Sequence, residues 1–134
     1  MKFWTALILV TLVAACSSRS SDEEQVRTLV AELESAAEAR DTSDVLEHVS
    51  ASYSDAQGFD RAQLQNFLRG YFLAHPKIEL LVTIDSLAFP ADGLAQAEIT
   101  VTSVALDADR ARLKVEFRRE GDAWQVSRAD RLRQ

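Results

Sequence analysis

The stretch Ala111-Arg112-Leu113-Lys114-Val115-Glu116-Phe117-Arg118 alternates apolar and charged side chains at every step. A period of two places Ala111, Leu113, Val115 and Phe117 on one face of a strand and Arg112, Lys114, Glu116 and Arg118 on the other. One face is therefore suited to a core and the other to water. Just downstream, Glu120-Gly121-Asp122 is a turn that leads into a last strand carrying Trp124 and Val126. Upstream, Ala97, Ile99 and Val101 alternate with Glu98, Thr100 and Thr102 inside a segment from Leu94 to Leu106. The turn Pro90-Ala91-Asp92-Gly93 joins that segment to the Ile-, Leu- and Val-rich run from Lys77 to Leu87. Four strands joined by short turns predict an antiparallel sheet with one covered face.

Before Pro76 the period is that of a helix. Val26, Leu29, Val30, Leu33 and Ala37 share one helical face, and Ser21-Asp22-Glu23-Glu24 has the capping-box pattern at its start. Asp41-Thr42-Ser43-Asp44 opens a short second segment in which Val45, Leu46 and Val49 face inward. The stretch from Ser50 to Asp60, SASYSDAQGFD, is loop-like. Asp60 then caps a third helix with Leu64, Phe67, Leu68 and Tyr71 on one stripe. Gly70 weakens its last turn, and the His75-Pro76 step ends it, because the residue before proline avoids the helical region. Helices followed by strands predict an α+β domain.

The first twenty residues point to a compartment. Lys2 precedes an apolar run from Phe3 to Val13, broken by Thr5 and Thr11, and the small pair Ala14-Ala15 ends on Cys16, the chain's one cysteine. This is the layout of an export signal, and the run is shorter than the roughly 20 residues a spanning helix needs. Val13-Ala14-Ala15-Cys16 resembles the lipobox of bacterial lipoproteins. The resemblance implies cleavage before Cys16, so that residues 1 to 15 are a signal peptide, with acylation of the Cys16 sulfur and of the new amino terminus. Several acyl chains give stable anchoring where one would not. Ser17, where sorting would otherwise read an aspartate, implies the outer membrane, with the protein in the cell envelope facing the periplasm. An ordinary signal peptide with an incidental cysteine is the alternative. Ser17 to Ser20 form a polar tether, residues 16 to 21 link lipid to domain, and residues 22 to 134 form one domain.

The net charge of −6 becomes one unit more negative once Lys2 is removed, which argues against a nucleic-acid partner. Acylation of Cys16 leaves no free thiol for catalysis or a disulfide. His48 and His75 lack a neighbouring ligand at i+3 or i+4, so neither metal nor cofactor is expected.

The order of elements, with Tyr53-Ser54-Asp55 and the closing Gly121-Asp122-Ala123-Trp124-Gln125-Val126, resembles the nuclear transport factor 2-like superfamily. The resemblance implies N-terminal helices packed on a curved, four-stranded antiparallel sheet, a cone that often holds a pocket. In such a cone Tyr53, Phe67, Tyr71 and Trp124 would lie between helices and sheet. With Arg128 they are the candidate pocket residues for a small apolar ligand; filling the core is the other role open to the aromatics. Steroid-isomerase-like members use a buried carboxylate as general base, and Asp85 and Asp130 are the residues available for that role. Trp124, Val126, Arg128 and Asp130 share one strand parity, so the pattern alone places them on one face.

Residues 110 to 134 are net basic, and Arg112, Lys114, Arg118 and Arg131 on the outward sheet face could meet anionic lipid, peptidoglycan, an acidic partner or only water. The expectation is a membrane-anchored, non-catalytic binding module. A protein-interaction module, homodimeric as many relatives of the fold are, is the alternative, and a small isomerase- or hydrolase-like enzyme the third reading.

Overall fold

The computed structural model describes residues 11–104 and 109–133, with side chains from residue 19 onward. Three helices, α1 (Thr11–Glu38), α2 (Thr42–Glu47) and α3 (Arg61–Ala74), precede four strands, β1 (Leu80–Ala91), β2 (Leu94–Ser103), β3 (Asp109–Glu120) and β4 (Ala123–Arg131). The strands form one antiparallel sheet in the order β1-β2-β3-β4. The α+β expectation is met, with helices packed on one face of a curved meander.

One helix start differs from the expected one. Ser21 is no N-cap, because α1 is already helical from Thr11 and its backbone runs on through Cys16 and the serine-rich stretch after it. Within a continuous helix the amide groups at Ser21 have carbonyl partners one turn back, so nothing there requires a cap. Ser21 Oγ accepts a bond from Gln25 Nε2 instead (3.2 Å). At its other end α1 stops through a left-handed residue, Arg40 (φ 56°). The amide of Asp41 donates to Ala36 O and that of Arg40 to Ala37 O, both at 3.0 Å, the pattern of a Schellman stop. Glycine is usual there. Arg40 offsets the backbone cost with a 2.7 Å bond from its guanidinium to Pro76 O, which ties the end of α1 to the α3–β1 connection.

The two later caps form as the sequence indicates. Asp41 accepts from the amide of Asp44, and Asp60 forms a full capping box with Gln63. Arg61, in the first turn of α3, donates to the carbonyls of Leu46 (2.8 Å) and Val49 (3.2 Å), so one guanidinium satisfies the open carbonyl end of α2.

Strand alternation holds along β3, where Val115 and Phe117 are buried and Arg112, Lys114 and Arg118 exposed. Three irregularities break it elsewhere, one of them between Ala88 and Ala91 near the first hairpin. Ile84 pairs with Ile99 and Ser86 with Glu98, so Asp85 is an extra residue on edge strand β1. Glu116 pairs with Arg128 and Phe117 with Val126, which leaves Ser127 as the extra residue of β4. The outer edge of β4 is partly covered, since Ser50 N donates to Val126 O (2.9 Å) and Val126 N to His48 O (2.7 Å).

The main core joins Val26, Leu29 and Val30 of α1 and Leu46 and Val49 near α2 to Ala95, Ala97, Ile99, Val115, Phe117, Trp124 and Val126 of the sheet. Phe117, with no exposed surface, lies among them. This core occupies the half of the sheet nearer the two hairpin turns at Gly93 and Gly121. The other half is where the candidate site lies.

Candidate functional site

Toward the end of the sheet away from those hairpins, helices and strands enclose a cavity of about 490 Å³. Its helical wall is the stripe Leu64, Phe67, Leu68 and Tyr71 of α3, together with Val30, Leu33, Glu34 and Ala37 from the second half of α1. Its sheet wall comprises Val82 of β1, Ile99 and Val101 of β2, Leu113 and Val115 of β3 and Ala129 of β4. The apolar period-3.6 stripe and the apolar period-2 face thus meet across an open space rather than in direct packing. Its size falls within the ~300–1,000 Å³ of small-molecule sites.

The lining is apolar apart from Glu34 and the hydroxyls of Tyr53 and Tyr71. Phe67, at 51% exposure, marks the opening. Its ring lies between Phe59 (5.9 Å) and Tyr71 (6.0 Å), and Tyr71 in turn stacks on His75 at 4.1 Å. Phe72 abuts Tyr71 edge-on at 6.3 Å.

Tyr53 is 4% exposed and lies at the inner end. Its hydroxyl donates to Asp55 Oδ2 (2.8 Å) and sits 3.4 Å from Ala129 O. Burial pushes the phenol up from its ordinary value, and the bond to Asp55 with the negative charges of Asp55 and Asp130 raises it further. Asp55 Oδ1 also accepts the amides of Gln57 (3.0 Å) and Phe59 (3.1 Å), so this carboxylate organises its loop.

The five candidate pocket residues divide. Tyr53, Phe67 and Tyr71 line the cavity; Trp124 and Arg128 do not. Trp124 belongs to the packed half, edge-on to Phe89 at 6.0 Å and with the Arg119 guanidinium 5.0 Å from its ring centroid. Arg128 is placed outside by the bulge at Ser127. The extra residue reverses the alternation, so Ala129 turns inward while Arg128 and Asp130 take the convex face opposite Glu116 and Lys114.

Neither carboxylate considered as a base faces the cavity. Asp85, at the β1 bulge, is exposed and accepts the hydroxyl of Thr100 (2.6 Å) on the convex face. Asp130 is bonded to the Arg128 guanidinium and accepts the Ala56 amide at 2.8 Å. Desolvation pushes its carboxyl up, but the Ala56 amide and the Arg128 guanidinium outweigh that and hold it below the usual carboxylate range. An acid held ionised in this way is opposite to the raised, cavity-facing base the isomerase pattern requires.

The carboxylate that does line the cavity is Glu34, which the sequence reading passed over. Burial, and the negative charge of Glu38 one turn on, push its carboxyl up from the ordinary value. The signal was present in the sequence: Glu34 stands one residue after Leu33 and three before Ala37, at the margin of the apolar stripe. The histidines lie apart from the cavity lining. His48 Nε2 is 3.4 Å from Glu32, and His75 Nδ1 is 2.8 Å from Tyr71 O.

No family model matches the chain, and no curated protein matches it by sequence. Solved structures do resemble it. A domain of unknown function with a cystatin-like fold from Nostoc punctiforme superposes with a TM-score of 0.71 at 14% identity, covering 85% of this chain and 78% of that one. A nuclear transport factor 2-like protein of unknown function from Shewanella baltica gives 0.68 at 12% identity, covering 86% and 97%. A putative calcium/calmodulin-dependent protein kinase type II association domain from Thiobacillus denitrificans gives 0.68 at 17% identity, covering 78% and 91%. At these identities the likeness shows the fold, which is nuclear transport factor 2-like and cystatin-like.

Proposed function

We propose that this protein is a lipid-anchored envelope module that holds a small apolar ligand without transforming it. The observation that carries this reading is the cavity itself: about 490 Å³, walled by aliphatic and aromatic side chains, with a single charged group in its lining among the described residues. Binding an apolar molecule there would remove apolar surface from water on both partners at ~25 cal/mol per Å². The absence of Asp85 and Asp130 from the lining supports binding over turnover.

Carriage is also favoured over self-association through the sheet. The convex face presents Arg112 to Glu98 (3.1 Å), Thr100 to Asp85 (2.6 Å) and Gln96 to Glu116 (3.3 Å), a polar surface rather than a continuous apolar patch. The proposal of anchoring rests on Val13-Ala14-Ala15-Cys16. It agrees with a chain in which, among the described residues, no helix is long and apolar enough to cross a membrane.

Two measurements test the reading. Native mass spectrometry and uptake of the dye N-phenyl-1-naphthylamine by the chain carrying Cys16→Ser should show one apolar molecule per protein. An empty protein that excludes the dye and dimerises would overturn carriage. Labelling of cells with an alkyne fatty acid should mark the native chain and spare Cys16→Ser; equal labelling of both would overturn anchoring at that residue. Sucrose-gradient fractionation should then place the labelled chain with outer-membrane markers.

A further inference from the structure

The cavity lining is not electrically neutral. Glu34 faces it from α1, one turn before Glu38, and makes no hydrogen bond or ion pair with any described residue. Among the described residues no cationic side chain lines the cavity. Three basic groups on the segments flanking the helical wall are engaged elsewhere: Arg40 on Pro76 O (2.7 Å), Arg61 on the carbonyls of Leu46 (2.8 Å) and Val49 (3.2 Å), and Lys77 on Glu79 (3.3 Å). Glu38 accepts the amide of Leu80 at 3.3 Å and forms no ion pair with a cation among the described residues.

Two aromatic rings, Phe67 and Tyr71, line the same cavity with centroids 6.0 Å apart. A carboxylate and aromatic rings lining one cavity are the combination that recognises an ammonium group, through charge and through the ring quadrupole. An anionic head would meet Glu34 with no cation to receive it, and a neutral head would leave the carboxylate desolvated without compensation.

We propose that the cavity takes a single-chain amphiphile with a cationic amine head, its hydrocarbon between α3 and the sheet and its ammonium at Glu34. The inference rests on the carrier reading and adds the chemical class of the ligand. A bound ammonium would reverse the upward push that burial and Glu38 exert on the Glu34 carboxyl, so ligand and carboxylate stabilise each other's charged form.

The test uses the full chain carrying Cys16→Ser, loaded with N-phenyl-1-naphthylamine. Dodecylamine, dodecanol and dodecanoate are added separately, each below its micelle-forming concentration. Dodecylamine should displace the dye at about a tenfold lower concentration than dodecanoate, equivalent to about 1.4 kcal/mol. The ratio should fall to near one in Glu34→Gln and invert in Glu34→Lys, each variant serving as its own reference for dye loading. Equal displacement by all three chains, preference for dodecanoate, or an unchanged ratio in both variants would overturn the cationic head while leaving carriage intact. A chain that never takes up the dye would overturn carriage, and this inference with it.

Discussion

Arg128 faces Glu116 across the convex side of the sheet, although its place in the sequence, two residues after inward-facing Val126, would put it inside. The residue responsible is Ser127, which adds one step to β4 and is fixed by a 3.2 Å bond from its hydroxyl to Glu116 O. Deleting Ser127 would remove the extra residue and restore strict alternation with the pairing unchanged: Val126 opposite Phe117, Arg128 opposite Glu116 and Ala129 still inward. The local loss is the Ser127 hydroxyl bond to Glu116 O, about 1 kcal/mol. The deletion variant is therefore expected to stay soluble and folded by far-ultraviolet circular dichroism, as is Ser127→Ala; an unfolded deletion variant would show that β4 needs the bulge itself.

The packed and hollow halves of the sheet should respond oppositely to volume changes. Phe117→Ala empties a fully buried site and is expected to cost about 3–5 kcal/mol in urea denaturation. Leu113→Phe adds volume on the cavity wall, where space exists, so stability should hold or rise while dye uptake falls. Loss of more than about 2 kcal/mol from Leu113→Phe would indicate a filled interior.

Removing the Tyr53 hydroxyl deletes a bond to the charged Asp55. Tyr53→Phe should lower stability by about 1.5–3 kcal/mol with an unchanged denaturant slope. The phenol is raised in the folded state, so the stability it contributes is complete below its unfolded value near 10 and is lost as pH rises beyond that. The wild type should thus weaken at alkaline pH more steeply than Tyr53→Phe. Parallel curves above pH ~10 would exclude Tyr53 as the cause.

Asp130 has the opposite sign. Its carboxyl is held below the ordinary range in the folded state, so its contribution is present above the unfolded value and is lost as pH falls through the lowered one. Asp130→Asn should flatten the acid limb of the stability curve below pH ~4 and leave dye binding at neutral pH unaffected. An effect on dye binding would place Asp130 nearer the cavity than its convex-face position.

Asp60 links a local signal to the site. Its capping box with Gln63 starts the helix that forms one wall of the cavity. Asp60→Ala should cost about 1 kcal/mol and increase hydrogen exchange in the first turn of α3 more than elsewhere.

The fold was legible because local and global signals agree over most of the chain. The alternation of Ala111 to Phe117, the caps at Asp41 and Asp60 and the turns at Gly93 and Gly121 each match the structure. The site was legible only in part. Helical periodicity put Phe67 and Tyr71 on the correct stripe, but strand periodicity misplaced Arg128 and Asp130, because a bulge leaves no mark in a pattern of single residues. For Trp124 the sequence left both roles open, and the structure gives it the core one: an aromatic side chain on an inward face fills a core or lines a cavity according to what stands opposite, and that is a tertiary property. Glu34 escaped notice because a charged residue beside an apolar stripe ordinarily meets solvent.

The course of α1 sets where a ligand would enter. Near its start Arg19 lies over the Phe89 ring at 5.7 Å and Asp22 meets Arg119 at 2.9 Å, beside the hairpins, whereas Glu34 and Ala37 lie at the cavity. At 1.5 Å per residue, Glu34 is about 27 Å along the helix axis from the backbone of Cys16. If acyl chains hold Cys16 in a bilayer, the helix acts as a rigid spacer that lifts the cavity off the lipid. A hydrophobic guest would then be delivered and collected on the aqueous side, by hand-over from a soluble partner rather than by sideways diffusion out of the anchoring leaflet.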